Sequence, residues 1–335
     1  MESFDVAVIG GGLAGLHAAR RMAERGLVVL LVDRKPTLSY AVHTTGIFVR
    51  KTLEDFALPE DCLGPAIRQV TLHSPRRRAL RLESPHEEFR VADMGRLYAA
   101  LLEKCRAAGV RLLLDTRYLS CRPTDAGSEL RLQVRQRAWT VGTRFMVGSD
   151  GACSRVAADL GLSRNREWIV GVENVYRRVP LDGPPQMHCF LDPRLAPGYI
   201  AWLVHDGFDL HLGVGGYPSR FRPLEALQEF RRVAAGYFDL RDAEFVEHRG
   251  GRIPVGGVLP RLANRHGLLV GDAAGAVSPL TAGGLDPCLR LSEMGARTAA
   301  GYLATNDERV LAAYDGTEFR RRFRRRLWMR WALRS

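Results

Sequence analysis

Residues 5–33 begin Asp5-Val-Ala-Val-Ile-Gly10-Gly-Gly12-Leu-Ala-Gly15, continue as a helical pattern to Gly26, and end Val28-Val-Leu-Leu-Val-Asp33. An apolar run, three spaced glycines, a helix and a second apolar run closed by an acid stand in the order of a dinucleotide-binding βαβ unit. Gly10 permits the tight turn out of the strand. Gly12 lets the backbone approach a pyrophosphate, and Gly15 lets the helix pack close to the sheet. The helix N-terminus offers free N–H groups and the positive end of a dipole to the phosphates. Asp33 stands where an acid accepts hydrogen bonds from ribose hydroxyls. Leu13 and Ala14 in the turn, and Arg34 beside the acid, complete this cofactor-binding set. The glycines alone would suit a structural turn. With both strands, the helix and the acid present, they specify a dinucleotide without saying which.

The bulk numbers narrow the class. A chain of 335 residues with 46% hydrophobic content can bury one large core or two adjoining ones. It holds no apolar run of about 20 residues, so no transmembrane helix is expected. It enters its first strand almost at once, which leaves no room for a signal peptide. Cysteines 62, 105, 121, 153, 189 and 288 form no CxxC pair. That argues against zinc and against a redox dithiol, and predicts free thiols in a reducing cytoplasm. The net charge of +12 is carried almost wholly by arginine, with lysine only at 35, 51 and 104. It suits an acidic partner or an anionic membrane. No nucleic-acid module accompanies it, so no nucleic-acid partner is expected.

Periodicity then divides the chain. Residues 69–91 read as a strand pair joined by a basic turn. Residues 94–109 read as an amphipathic helix stopped at Gly109. An apolar strand follows at Val110–Leu114, and a hairpin at 129–148. Residues 168–250 alternate and are rich in β-branched and aromatic side chains, which predicts a separate antiparallel sheet interrupted by a helix near 223–236. Residues 267–302 return to the strand–loop–helix style. The expected division is a discontinuous nucleotide domain of 1–68, 92–167 and 251–318, a β-rich substrate domain of 69–91 and 168–250, and a basic C-terminal helix of 319–335.

Two later segments choose the dinucleotide. Val147-Gly-Ser-Asp150-Gly151 and Leu269-Val-Gly271-Asp272-Ala-Ala-Gly275 each end an apolar strand at a glycine and an acid. Asp272 stands where a carboxylate accepts from a ribityl hydroxyl. Gly283 and Gly284 precede a helix whose N-terminus would stabilise negative charge on a reduced flavin. These segments, after a complete βαβ unit, point to FAD. Here the chain resembles the FAD-dependent oxidoreductases of the para-hydroxybenzoate hydroxylase-like fold, and within them the geranylgeranyl reductases. The resemblance rests on Gly10-Gly-Gly-Leu-Ala-Gly15, Arg96, Asp150-Gly151, Pro197-Gly-Tyr199-Ile-Ala-Trp202, Gly250–Gly257, Gly271-Asp272 and Pro279. It implies an α/β protein, α+β overall, with a Rossmann-like FAD-binding domain and an inserted antiparallel β-sheet substrate domain. It also implies that Arg96 and Thr45 face the cofactor with Pro279. The chain departs from the family in having His43-Thr44-Thr45-Gly46 where a cysteine often stands, and His205 where the aromatic motif ends in Phe-Pro.

The reaction implied is hydride transfer from reduced FAD to a C=C bond of a lipophilic, isoprenoid-like small molecule. His43 is the candidate proton donor or substrate clamp, and Tyr199 and Trp202 are the candidate walls of the substrate cavity. Gly213-Val-Gly215-Gly216 lacks a third spaced glycine, so no dedicated NADPH unit is expected. An external reductant, NAD(P)H or reduced ferredoxin, must then supply the electrons. A flavin monooxygenase acting on an aromatic or polyketide-like substrate remains open, since one fold serves both chemistries. So does a non-catalytic flavin-binding protein at a membrane. Residues 320–334 hold eight arginines with Phe323, Leu327, Trp328, Trp331 and Leu333 and no acid. That is the composition of a peripheral contact with the inner membrane face.

Overall fold

The computed structural model describes residues 2–334, the side chains of Leu333 and Arg334 excepted. Its chain separates into two compact units. One comprises residues 1–40, 98–167 and 254–329, the other 41–97, 168–253 and 330–335.

The first unit is built on parallel strands in the order Arg111–Leu113, Val29–Val32, Ser3–Ile9, Arg137–Gly148 and Gly267–Leu269. Val6, Ala7, Val8, Leu30 and Leu31 are wholly buried, as expected of strands covered on both faces. The helix Leu13–Ala23 follows the first strand at once, and the long helix Leu285–Thr305 packs beside it. Antiparallel strands Arg117–Thr124 and Gly127–Val134 extend the sheet from Arg137–Gly148. Because the central strands are parallel, their C-terminal ends at Ile9, Val32, Gly148 and Leu269 share one edge. In such sheets ligands bind outside that edge.

The second unit holds seven strands in the order Glu244–Pro254, Trp168–Arg177, Leu210–Gly216, Ala201–His205, Gln186–Phe190, Gln69–His73 and Ala79–Glu83. The helix Pro223–Ala234 turns Leu227, Phe230 and Ala234 into an apolar cluster with Phe190, Leu203, Leu210, Leu212 and Val214. A small sheet of Ile47–Val49, Phe89–Ala92 and Leu63–Ile67 completes the unit.

That small sheet shifts the expected division. Phe89–Ala92 pairs with both Ile47–Val49 and Leu63–Ile67. Backbone hydrogen bonding therefore ties residues 41–68 to the second unit rather than to the nucleotide domain. The expected basic C-terminal helix is present and contributes to the core. Thr317–Arg334 forms one helix, with Phe319 and Phe323 only 3% and 1% exposed. Arg322 bonds Asp286 at 3.0 Å, Arg326 bonds the Ser278 hydroxyl at 3.1 Å, and Leu327 packs on Gly257. Its outer face carries Arg321, Arg324, Arg325, Trp328 and Trp331, all exposed. Among the described residues no helix is long and apolar enough to cross a membrane.

Truncating a wholly buried phenylalanine loses its transfer free energy and leaves a cavity. Phe323→Ala is therefore expected to lower stability by about 3–5 kcal/mol, read from the denaturant midpoint at unchanged slope. A loss of about 0.5 kcal/mol or less would mean that the helix contributes no core.

Candidate cofactor and active site

In the first unit all three glycine–acid motifs meet around the first turn. A Cβ on Gly15 would fall 1.8 Å from the Gly10 carbonyl oxygen, so the helix approaches the strand end as closely as a backbone can. A Cβ on Gly10 would meet the Ser149 carbonyl at 2.4 Å, and one on Gly271 would meet the Ala14 methyl at 2.7 Å. Gly12, at the helix N-cap, faces open space. No side chain caps this helix, and its first turn carries no acid. Its N-terminal N–H groups and dipole are thereby left for an anion.

The acids differ in what they offer. Asp33 accepts from the Gly11 amide at 2.6 Å and the Lys35 amide at 2.8 Å. Each of its oxygens keeps a lone pair for a ribose hydroxyl. Arg34 beside it is exposed. Asp150 is more fully engaged. Its carboxylate takes the Ser154 hydroxyl at 2.6 Å and the Arg155 and Val156 amides at 2.7 and 3.1 Å. It therefore braces the start of the short helix Arg155–Asp159, chiefly through Oδ2, and Oδ1, with one bond, keeps a lone pair. The Asp272 carboxylate has no hydrogen bond among the described residues, and burial pushes it up to about 6. Such a group calls for donors, which the hydroxyls of a ribityl chain provide. Gly284 lies beside it, a Cβ there falling 3.7 Å from Asp272 Oδ1. Gly284 is the N-cap of Leu285–Thr305, a second helix that no side chain caps. Pro279 is buried in the preceding loop, which Ser278 closes by donating to the Gly283 carbonyl at 3.0 Å. The chemistry of these residues fits FAD: uncapped N–H groups at Gly12–Gly15 suit phosphates, and acceptor oxygens on Asp33 and Asp272 suit hydroxyls.

The remaining candidates lie in the second unit. His43 is exposed. Arg96, in the first turn of Met94–Ala107, is 59% exposed and pairs with Asp61 at 3.0 Å, a contact too solvated to fix it. Tyr199 and Trp202 meet edge to face, with centroids 6.3 Å apart. Each ring lies on a glycine: a Cβ on Gly213 would strike the Trp202 ring at 2.1 Å, and one on Gly215 the Tyr199 ring at 2.7 Å. The glycines at 213–215 therefore seat aromatic rings in a sheet and do not cradle phosphates.

Sequence reasoning missed what surrounds Trp202. Glu173 on Trp168–Arg177 accepts from its indole N–H at 2.7 Å and from the Thr45 hydroxyl at 2.5 Å, both on Oε2. His211 Nδ1 and Arg249 Nη1 each stand 3.4 Å from Oε1. Burial alone would raise the Glu173 carboxyl. The hydrogen bond and charge of His211, with Arg249 and Thr45, hold it below the ordinary carboxylate range. Burial also disfavours the His211 cation, yet its bonds to Asp206 and Glu173 raise it to about 9. Only position parity along the strands could have signalled this cluster, since Glu173 falls on the inward phase among apolar neighbours.

The parallel sheet, the uncapped helix at its C-terminal edge and the unpartnered Asp272 define a dinucleotide-binding flavoprotein. Residues 3–212 match the FAD binding domain family, and the chain belongs to it, with FAD as its cofactor. A digeranylgeranylglycerophospholipid reductase of Methanocaldococcus jannaschii is 24% identical over 321 residues, covering 94% of this chain and 82% of that protein. One from Methanopyrus kandleri is 26% identical, over 91% of this chain and 78% of the relative. A geranylgeranyl bacteriochlorophyll reductase-like protein of Thermoplasma acidophilum has the same fold, with a TM-score of 0.88 at 20% identity, covering 100% of this chain and 87% of that one. A p-nitrophenol 4-monooxygenase of Pseudomonas putida shares the fold at TM-score 0.75 and 16% identity, over 96% of this chain and 86% of the neighbour.

Hydroxyl donors at Asp272 favour its ionised form, so FAD binding should draw a proton off it. FAD is expected to bind more tightly as pH rises from 5 to 7. Asp272→Asn should weaken binding and flatten that dependence, as read by flavin fluorescence titration. An equally steep dependence in Asp272→Asn would remove the carboxylate from the ribityl site.

Proposed function

We propose that this protein is an FAD-dependent reductase that saturates C=C bonds in a lipophilic isoprenoid chain, carried by a polar-headed lipid. The observation that carries the reading is the nearly full-length likeness to digeranylgeranylglycerophospholipid reductases, on a chain whose cofactor residues fit FAD. The hydride for one alkene carbon would come from FAD held by these residues and reduced. The chain's own residues do the rest. Tyr199 and Trp202 give an apolar wall with polar tips, suited to an alkenyl chain. The imidazolium form of His43 would give a proton to the other carbon and be left as neutral imidazole, so the bond gains one hydride and one proton.

The electrons come from an external donor, NAD(P)H or reduced ferredoxin, that docks transiently. The six cysteines form no disulfide, which suits a reducing cytoplasm. The outer face of Thr317–Arg334 supports a peripheral contact with an anionic membrane. Trp328 and Trp331 are 67% and 65% exposed, and Arg321, Arg324 and Arg325 share their side of the helix. Aromatic side chains enter the headgroup layer while arginines meet anionic lipids, which would bring the protein to a lipid substrate.

Anaerobic incubation of the FAD-loaded protein with dithionite and a digeranylgeranyl phospholipid should yield lipid heavier by two hydrogens per bond reduced, with no substrate-stimulated oxygen uptake in air. Oxygen uptake coupled to hydroxylated product would instead establish a monooxygenase. His43→Ala should bind FAD normally and turn over about 100-fold more slowly or worse, whereas full turnover would exclude His43. Trp328→Ala with Trp331→Ala should abolish cosedimentation with anionic vesicles, and unchanged binding would exclude this face.

A further inference from the structure

The buried cluster at Glu173 touches both elements proposed to flank the substrate. An ionised carboxylate inside a sheet costs several kcal/mol unless it is paired and hydrogen-bonded, and an apolar side chain would serve the core as well. Here its side chain is 4% exposed and it has four partners. Three act on the two flanking elements. Thr45 belongs to the irregular segment 43–46, whose backbone makes no strand ladder. Arg249, which faces Glu173 Oε1, also donates to the Thr44 carbonyl at 3.1 Å and is held by Glu247 at 2.5 Å. Trp202 is confined flat against Gly213, so the direction of its N–H decides where its ring edge lies. His211 fills the other side and is tied at 3.1 Å to Asp206, which also accepts from the Phe208 and Asp209 amides at 2.8 Å.

We propose that Glu173 is the positioning residue of the substrate site: its Oε2 binds the Thr45 hydroxyl and the Trp202 indole N–H together, setting the segment 43–46 and the aromatic wall relative to each other. The proposal rests on the reading above that these two elements flank the substrate. It carries a consequence that a merely structural carboxylate lacks. Two donors share one oxygen, so removing either must alter the bond to the other. Glu173 should therefore govern how well the lipid is gripped.

The test uses FAD-loaded protein and the indole ¹⁵N–¹H signals of its five tryptophans, with Trp202 assigned by Trp202→Phe. Thr45→Val is expected to shift the Trp202 signal and leave the other four in place. Glu173→Gln should shift it further and raise KM for the digeranylgeranyl phospholipid about tenfold or more, with a smaller change in kcat. Glu173→Gln combined with Thr45→Val should raise KM no more than Glu173→Gln alone. An unmoved Trp202 signal in Thr45→Val overturns the proposal, as do additive KM effects in the double variant. If Glu173→Gln does not fold, the Thr45→Val signal decides alone. A wild-type protein inert toward the lipid would refute the reductase reading, and the shared-oxygen geometry would still stand or fall by the indole shift.

Discussion

A Cβ on Gly15 would sit 1.8 Å from the Gly10 carbonyl oxygen, and the first unit is organised by that contact. Only a backbone without a side chain lets the helix Leu13–Ala23 begin directly at the end of the strand Ser3–Ile9. The same closeness brings Ser149 to Gly10 and Ala14 to Gly271, so segments far apart in sequence converge on one helix N-terminus. Its N–H groups are then left uncapped, and the nearby Asp272 carboxylate is raised by burial for want of a donor. A helix end with unanswered donors and an acid with unanswered lone pairs complement a molecule with phosphates at one place and hydroxyls at another.

The second unit solves a different problem, that of fixing aromatic rings on a sheet. Glycines at 213 and 215 flatten the surface of the strand Leu210–Gly216, and Trp202 and Tyr199 lie across them. Glycine in a strand normally weakens it, and the loss is accepted where another group must approach closely. The ionised Glu173 then gives the Trp202 edge a direction that packing alone would leave free. Apolar packing supplies the wall, and one buried charge supplies its orientation.

Much of the first unit was legible because its constraints are local. The turn Gly10–Gly15, the stop at Gly109 and the strand ending at Asp272 each depend on neighbours in sequence. The bonds of Asp150 to Ser154 and the following amides were not foreseen, although they too are local. The small sheet of residues 47–49, 63–67 and 89–92 escaped notice because its strands are short and its pairing is non-local. The Glu173 cluster was illegible for the same reason. Thr45, Glu173, Trp202, His211 and Arg249 come from five separate segments, and no spacing rule joins them. The glycines at 213–216 were legible as glycines but not as seats for rings, which requires knowing what lies across the sheet.

The proposed reductase would give the electrons of its reduced flavin to an isoprenoid alkene rather than to oxygen. The direct measurement is a single turnover without oxygen, in which the FAD-loaded protein is photoreduced and mixed with a digeranylgeranyl phospholipid while the flavin spectrum is followed. The account predicts return of the oxidised-flavin spectrum at a rate that saturates with lipid, with one C=C bond saturated per flavin. A flavin that stays reduced in the presence of lipid until oxygen is admitted would contradict it.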